Sequence, residues 1–250
     1  MPRTNVTLET EDGTCAAVLH TPANSAADPG GVPGVIVYPD AAGVRETFAA
    51  MADRLAELGY AVLLPDIYYR TPYAPFDSGN LFSDPEEFAR LRSLAAGLSP
   101  EMSGRDTAAF IGFLAARPEV SGTRIGTVGY CMGGRMALLA AAHHPDRVGA
   151  AASFHGGNLA PADDAHSPAS LAGCITAELH VAVAENDPSF PTDQYKRVET
   201  ALGDAGVRHT MATYPAQHGF AVADNPAYDP AADERHWAAL TALYGGALRG

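Results

Sequence analysis

Apolar residues recur along the chain in two patterns, short continuous runs and longer stretches with helical spacing. A continuous run such as Gly34 to Tyr38 is typical of a strand buried on both faces of a parallel sheet. The stretch from Glu46 to Leu58 places apolar residues three and four positions apart, which predicts an amphipathic helix that stops at Gly59. Two early segments, Val6 to Glu9 and Thr14 to His20, alternate apolar and polar residues and predict an antiparallel hairpin.

Strands and helices continue to alternate to the end of the chain. After a loop over Thr21 to Pro33, the further predicted strands are Tyr60 to Leu64, Ile125 to Tyr130, Val148 to Phe154, His180 to Ala184 and His209 to Tyr214. The further predicted helices are Pro85 to Leu98, Arg105 to Ala116, Met132 to His144, Gln194 to Ala205 and Glu234 to Leu248. This alternation predicts an α/β fold, a doubly wound and mainly parallel sheet with an N-terminal antiparallel hairpin. We expect one domain over residues 1–250.

Composition narrows the class of protein. An apolar content of 47% is enough for a sizeable core, and the net charge of -13 argues against binding to nucleic acid or to an anionic membrane surface. No apolar run approaches the roughly 20 residues that span a bilayer, and no signal-peptide pattern is present, so we expect a cytoplasmic protein. Three cysteines without a C-x-x-C motif predict reduced thiols and no metal site.

The segment from Ile125 to Gly134 reads I-G-T-V-G-Y-C-M-G-G and passes from a predicted strand into a predicted helix. Within it, Gly129, Cys131 and Gly133 have the spacing of the G-x-S-x-G nucleophile elbow, with sulfur in place of the hydroxyl. The glycines permit a turn in which a Cβ would strike the neighbouring strand or helix. A cysteine at a strand end is also often only a small apolar core residue. Cys131 is therefore a candidate nucleophile whose partners must come from elsewhere in the chain.

Two later strands end in groups that a cysteine nucleophile needs. The strand His180 to Ala184 is followed by Glu185 and Asp187, and the last strand is followed by His218. Because functional groups collect at the carboxyl ends of parallel strands, these side chains can meet Cys131. The chain order nucleophile, acid, histidine is that of α/β-hydrolases. We expect Asp187 to be the acid, with Glu185 as its competitor.

A free thiol has a pKa of about 8.5, so it needs a base or a positive field to become a thiolate at neutral pH. His218 can supply the base, Asp187 can orient and stabilise the imidazole, and the start of the following helix favours negative charge. For the oxyanion, the backbone N–H groups of Met132 and Ala41 are the expected donors. Most other histidines, His236 among them, are expected at the surface or at helix ends.

These motifs resemble those of the dienelactone hydrolases, a family of α/β-hydrolases. The matching landmarks are G-Y-C-M-G-G at 129–134, P-D-I-Y at 65–68, E-N-D-P-S-F-P at 185–191 and Q-H-G-F at 217–220. The resemblance runs over nearly the whole chain. It implies that Cys131, Asp187 and His218 form a catalytic triad that cleaves an ester or lactone through a thioester, without a cofactor or metal.

The sequence also departs from the family pattern at two positions. The family places a carboxylate, usually glutamate, after the third strand, where it helps to control ionisation of the thiol; here Asp40 stands at that position. An arginine that clamps the carboxylate of dienelactone is replaced by Val222, and Arg90 and Arg92 are unaligned candidates for a second arginine. Because such a bidentate contact contributes on the order of a few kcal/mol, its loss predicts a less polar substrate.

The least regular stretch, Ile67 to Gly104, is rich in aromatic residues and prolines and includes Phe82. It is either a rim or lid over a site or a surface excursion packed by its own rings. The expected pocket residues are Tyr68, Tyr69, Tyr73, His155, Phe220 and Val222.

Three functions are compatible with the sequence. The first is a cysteine-dependent hydrolase of a small carboxylic ester or lactone, acting as a monomer or homodimer on a small-molecule substrate. The second is a binding or sensing module on a hydrolase scaffold, suggested by Asp40 and Val222. The third is an acyltransferase or peptidase of the same fold.

Overall fold

A computed structural model describes residues 1–23, 30–77, 79–81 and 83–249. Part of the loop predicted over Thr21 to Pro33, together with Phe82, lies outside the described residues. Within the described residues, no helix combines the length and the apolar character that a membrane crossing requires.

Eight strands form a single sheet, as the alternation of apolar runs predicts. The strands are β1 (Arg3–Thr10), β2 (Gly13–His20), β3 (Val32–Tyr38), β4 (Ala61–Pro65), β5 (Val120–Tyr130), β6 (Val148–Phe154), β7 (Glu178–Ala184) and β8 (His209–Tyr214). Their order in the sheet is β1-β2-β4-β3-β5-β6-β7-β8. The pairs β1/β2 and β2/β4 are antiparallel, and the other neighbours are parallel. The predicted α/β fold with an N-terminal hairpin is confirmed.

Within the described residues, α-helices and a short 3₁₀ turn at Ala172–Cys174 connect the strands. The helices are α1 (Glu46–Glu57), α2 (Pro85–Ala96), α3 (Pro100–Ala115), α4 (Met132–His143), α5 (Thr192–Asp204) and α6 (Pro230–Ala247). Helix α3 begins at Pro100 rather than at Arg105 because the Ser99 hydroxyl accepts the N–H of Met102, 3.2 Å away. Helix α6 likewise begins at Pro230 because Asp229 caps its first turn.

The helices bury the two faces of the sheet in separate cores. One core contains Phe48 from α1 and Trp237 and Leu240 from α6. The other contains Phe110 from α3 and Leu138 from α4, together with residues of α5. Each such buried side chain contributes roughly 1.5–3 kcal/mol to folding, so both faces hold the sheet and its carboxyl edge in place.

Helix α2 and the chain before it pack over the turn that follows β3. A small third core joins Ala42 of that turn to Phe76, Leu81 and Leu91. Helix α2 and the described residues before it therefore lie beside the turn at the carboxyl end of β3.

Candidate active site

Cys131 lies at the sharp turn between β5 and α4. Its backbone has φ 54° and ψ -120°, a strained conformation that L-residues seldom adopt. A Cβ on Gly129 would overlap the carbonyl of Gly133, and a Cβ on Gly133 would overlap the carbonyls of Tyr38 and Pro39. The two glycines are therefore needed for close approach of the strand and the helix. The turn has the geometry of a nucleophile elbow.

His218 and Asp187 meet beside this turn. The Nδ1 of His218 lies 2.6 Å from Oδ2 of Asp187, and the Asp187 side chain is 2% exposed. The other carboxylate oxygen, Oδ1, accepts hydrogen bonds from the N–H and the hydroxyl of Ser189, at 2.8 and 2.7 Å. The competing acid, Glu185, is exposed. Because both oxygens of Asp187 are held, the carboxylate fixes the orientation of the imidazole.

The electrostatics of His218 differ from those of a free histidine. Burial opposes its protonation, but hydrogen bonds to Asp187 and Cys131 outweigh burial and raise the pKa of His218 to about 10. Since Nδ1 contacts Asp187, Nε2 is the ring nitrogen left for Cys131. Burial of Asp187 would raise the pKa of its carboxyl, yet the hydrogen bonds from His218 and Ser189 lower it. The raised pKa of His218 therefore favours an imidazolium beside the Asp187 carboxylate.

Tyr68 contacts both Ala41 and Met132, the residues whose N–H groups are the expected oxyanion donors. Its hydroxyl donates to the Ala41 carbonyl at 2.9 Å and lies 3.9 Å from the sulfur of Met132. The next N–H, that of Ala42, donates to Oδ1 of Asp40 at 2.9 Å. The peptide between Ala41 and Ala42 is thus held from both sides, directly after the peptide that carries the N–H of Ala41.

Asp40 forms a bidentate ion pair with Arg45, through contacts of 2.7 and 2.8 Å. Arg45 makes a second bidentate pair with Asp224, at 2.7 and 2.9 Å. The half-buried guanidinium is therefore neutralised by two carboxylates. Asp40 lies where the resemblance places a thiol-modulating carboxylate, but its oxygens are engaged by Arg45 and Ala42.

A cavity of about 520 Å³ opens over Cys131. His155 and His218 share its wall, and α2 contributes a largely apolar side. The other described residues that line the cavity are Asp40, Ala41, Ala42, Arg45, Leu81, Phe88, Leu91, Arg92, Ala95, Asn158, Ser189, Gly219 and Asn225. Of the residues expected in the pocket, His155 lines the cavity.

The structure places the other expected pocket residues elsewhere. Phe220 and Val222 are fully buried in the core that packs against α6, because the chain turns inward directly after Gly219. Tyr69 donates to Asp106 at 2.8 Å, on the side of the N-terminal hairpin. Tyr73 lies behind Tyr68, with ring centroids 5.4 Å apart. These side chains support the walls and do not line the cavity.

The two candidate arginines of α2 differ in their surroundings. Arg90 pairs with Glu87 at 2.6 Å and stacks over the Phe76 ring at 3.8 Å. Arg92 is exposed and lines the cavity over Cys131. Only Arg92 of the two is placed to meet a bound molecule.

His155 was expected to reach the pocket and has an unusual setting there. It is 1% exposed, and within the described part of the chain neither of its ring nitrogens has a hydrogen-bond partner. Its ring packs edge-on to that of His218, with centroids 5.0 Å apart. Burial and the neighbouring charge of His218 hold its pKa well below the ordinary value, so His155 is neutral.

Sequence reasoning missed Ser189 and Arg45. The signal for Ser189 was the D-P-S turn, because an aspartate side chain in a turn commonly accepts the N–H two residues later. No local signal pointed to Arg45, whose partner Asp224 is remote in the chain. Across the part of the chain that the structure describes, no group of three or more histidine, cysteine or carboxylate side chains is arranged to hold a metal ion.

A profile of the dienelactone hydrolase family matches residues 15–248. The chain belongs to the dienelactone hydrolase family. A Synechocystis protein assigned as a carboxymethylenebutenolidase is 30% identical over 220 residues, which cover 86% of this chain and 86% of that protein. As a family member with such relatives, the chain is a hydrolase of carboxylic esters or lactones.

Solved structures agree with the fold of a dienelactone hydrolase. A Klebsiella pneumoniae structure assigned as a dienelactone hydrolase has a TM-score of 0.83 at 24% identity and covers 98% of both chains. A dienelactone hydrolase-like promiscuous phosphotriesterase from metagenomic libraries has a TM-score of 0.75 at 26% identity, with 99% of both chains covered.

Proposed function

We propose that this dienelactone hydrolase family member cleaves a small carboxylic ester or lactone through a thioester on Cys131. The observation that carries the proposal is the 2.6 Å contact between His218 and Asp187, together with the cavity that His218 and Cys131 both line. A cysteine on a strained elbow beside an imidazolium is the arrangement that nucleophilic catalysis requires.

In the first step, the Cys131 sulfur attacks the carbonyl carbon, and the carbonyl oxygen becomes an oxyanion. The N–H groups of Met132 and Ala41 are the proposed donors to this oxyanion, and each such donor contributes roughly 2.7–4 kcal/mol in well-studied cases. The bond from carbon to the alkoxy oxygen then breaks, and His218 gives its proton to the departing alkoxide. An ester gives an alcohol and a thioester, and a lactone gives one thioester that carries the new hydroxyl group.

In the second step, His218 removes a proton from water, and the resulting hydroxide attacks the thioester. The carbon–sulfur bond breaks, the carboxylic acid leaves, and the thiolate of Cys131 is restored beside the protonated His218. Asp187 keeps Nδ1 of His218 protonated throughout, so that Nε2 is the nitrogen that exchanges protons.

Asp40 is the carboxylate proposed to influence the thiol, in line with the family resemblance. Its negative charge lies in the same cavity as Cys131, and the ion pair with Arg45 reduces the field that reaches the sulfur. We propose that Asp40 acts through its charge and by holding the N–H of Ala42, without a direct hydrogen bond to the thiol.

The substrate class follows from the cavity wall. Leu81, Phe88, Leu91 and Ala95 present an apolar surface, and Arg92 adds one positive charge at its exposed side. The proposal is an ester or lactone with an apolar body, for which Arg92 is the candidate contact if the molecule carries an anionic group.

The test is hydrolysis of p-nitrophenyl esters and of enol-lactones by the parent protein and by Cys131→Ala. We expect turnover by the parent and a loss of at least about 10⁴-fold in the variant. Covalent mass analysis of the quenched parent should show an acyl group on Cys131. Tight binding without turnover would instead favour a binding module, and unchanged turnover in Cys131→Ala would reject the proposed nucleophile.

A further inference from the structure

A second cavity, of about 460 Å³, adjoins the cavity over Cys131. The two cavities share Ala95 and Asn158 in their walls, and the second is bounded by Met132, the residue after Cys131. The other residues that line it are Leu98, Ser99, Pro100, Ser103, Arg135, Met136, Leu139, Pro161 and Asp164. The second cavity therefore lies next to the first, along α4.

The wall of the second cavity suits an apolar group. Leu98, Met136 and Leu139 supply branched or flexible apolar side chains. The charged residues at its edge are paired, since Arg135 donates to Asp164 at 2.6 Å and to the carbonyl of Asn158. A ligand here would gain from burial of its apolar surface and not from an ion pair.

The proposed chemistry gives the two cavities different occupants. The leaving alkoxide must lie near His218, which protonates it, and His218 lines the first cavity but is not among the residues that line the second. The acyl carbon is bonded to the Cys131 sulfur in the thioester. The rest of the acyl group then extends away from His218, past Met132.

We propose that the second cavity receives the acyl chain of the substrate, and that this enzyme prefers esters with an apolar acyl chain of several carbons. This inference rests on the catalytic roles proposed for Cys131 and His218. It separates the two sides of the ester: the acyl chain lies along α4, and the alcohol lies under α2.

The experiment compares two series of esters. The acyl series keeps the leaving group constant and consists of p-nitrophenyl acetate, butanoate and octanoate. The alcohol series keeps the acyl group constant and consists of methyl, butyl and octyl acetate. Hydrolysis in the alcohol series is measured by the release of acid. We expect kcat/KM to rise at least tenfold from acetate to octanoate in the acyl series. The alcohol series reports on the first cavity, so substitutions in the second cavity should change its kcat/KM values by less than threefold.

Leu98→Trp narrows the second cavity and should lower kcat/KM for the octanoate at least tenfold, with the acetate changed by less than threefold. Leu98→Ala widens the same space and should move the preference to longer acyl chains. Leu58→Trp, at an exposed leucine after α1, is the matched control and should leave both series unchanged.

The outcomes separate this inference from the proposed function. A flat acyl series in a parent that still depends on Cys131, or an equal effect of Leu98→Trp on both series, would overturn the acyl-chain assignment alone. Absence of turnover with every ester would instead reject the proposed function.

Discussion

Two histidine–aspartate pairs lie beside Tyr130 and Cys131, which are consecutive in the chain. His218 pairs with Asp187 at 2.6 Å and faces Cys131. His236 pairs with Asp233 at 3.0 Å, and its Nε2 lies 2.8 Å from the hydroxyl of Tyr130. In both pairs, the aspartate contacts Nδ1, which leaves Nε2 for another partner.

The surroundings of the two pairs differ. The His218 side chain is 28% exposed and opens into a cavity, whereas the His236 side chain is 0% exposed. The pKa of His218 is raised to about 10, since Asp187 and Cys131 outweigh its burial. Burial outweighs Asp233 at His236 and lowers its pKa. Burial likewise raises the pKa of Tyr130 well above the ordinary value.

The same pair of side chains is therefore open to a ligand at His218 and Asp187, and enclosed in the core at His236 and Asp233. At His218, the imidazolium opens into the cavity that Cys131 also lines, where it can reach a bound molecule. At His236, a neutral imidazole satisfies the buried Tyr130 hydroxyl and links α6 to the strand that carries the elbow. The comparison shows that a histidine–aspartate pair alone does not identify an active site.

The largest expected effect is that of His218→Phe on catalysis. The phenyl ring keeps the volume and apolar contacts of the imidazole but can neither take nor give a proton. We expect kcat/KM for a p-nitrophenyl ester to fall at least about 10⁴-fold, with Tm changed by only a few degrees. Steady-state kinetics and a thermal melt on one preparation measure both. Activity within tenfold of the parent would mean that another base serves Cys131.

His236→Phe should have the opposite effect. It leaves the Tyr130 hydroxyl without its partner in the core and removes the hydrogen bond to Asp233, at a cost of about 1.5–3 kcal/mol in the free energy of unfolding. Urea denaturation measures that cost, and kcat/KM should stay within about threefold of the parent once folding is established. A large loss of kcat/KM in a folded variant would give His236 a part in positioning the elbow.

The sequence was sufficient to predict where the strands and the elbow lie. Buried strands depend on continuous apolar runs, and the carboxyl edge of a parallel sheet is set by the direction of those runs. The chain order of Cys131, Asp187 and His218 therefore predicted their meeting. The bounds of α3 and α6 were less accurate, because Ser99 and Asp229 start these helices before the periodic apolar residues begin.

The pocket wall was much less predictable. Phe220 and Val222 follow His218 closely in the chain, yet they point into the core, because a turn sends neighbouring residues to opposite sides. His236, expected at the surface or a helix end, is fully buried by contacts with Tyr130 and Asp233. Such contacts join remote parts of the chain, and no local pattern of residues encodes them.

The smallest expected effect concerns the pH dependence of stability. His236 has a lowered pKa in the folded state, so the unfolded chain binds more protons, and this histidine stabilises the fold above about pH 6.5 and less as pH falls. His155 and His180 act in the same direction, with the pKa of His180 lowered by its burial to about 4. Tm should therefore rise between pH 5 and 6.5.

The two phenylalanine variants should separate the contributions to that rise. His236→Phe removes one of the buried titrating groups, so the increase in Tm between pH 5 and 6.5 should be smaller by about 2–4 °C for each kcal/mol lost. His218→Phe combined with Asp187→Asn, which removes the buried carboxylate together with its partner, should leave the increase nearly unchanged, because His218 is protonated in the folded state and mostly protonated in the unfolded state below about pH 6. Thermal melts at several pH values measure the rise of Tm with pH in each variant. An equally reduced rise of Tm in both variants would show that the two pairs respond alike to protonation, contrary to the opposite shifts of their pKa values.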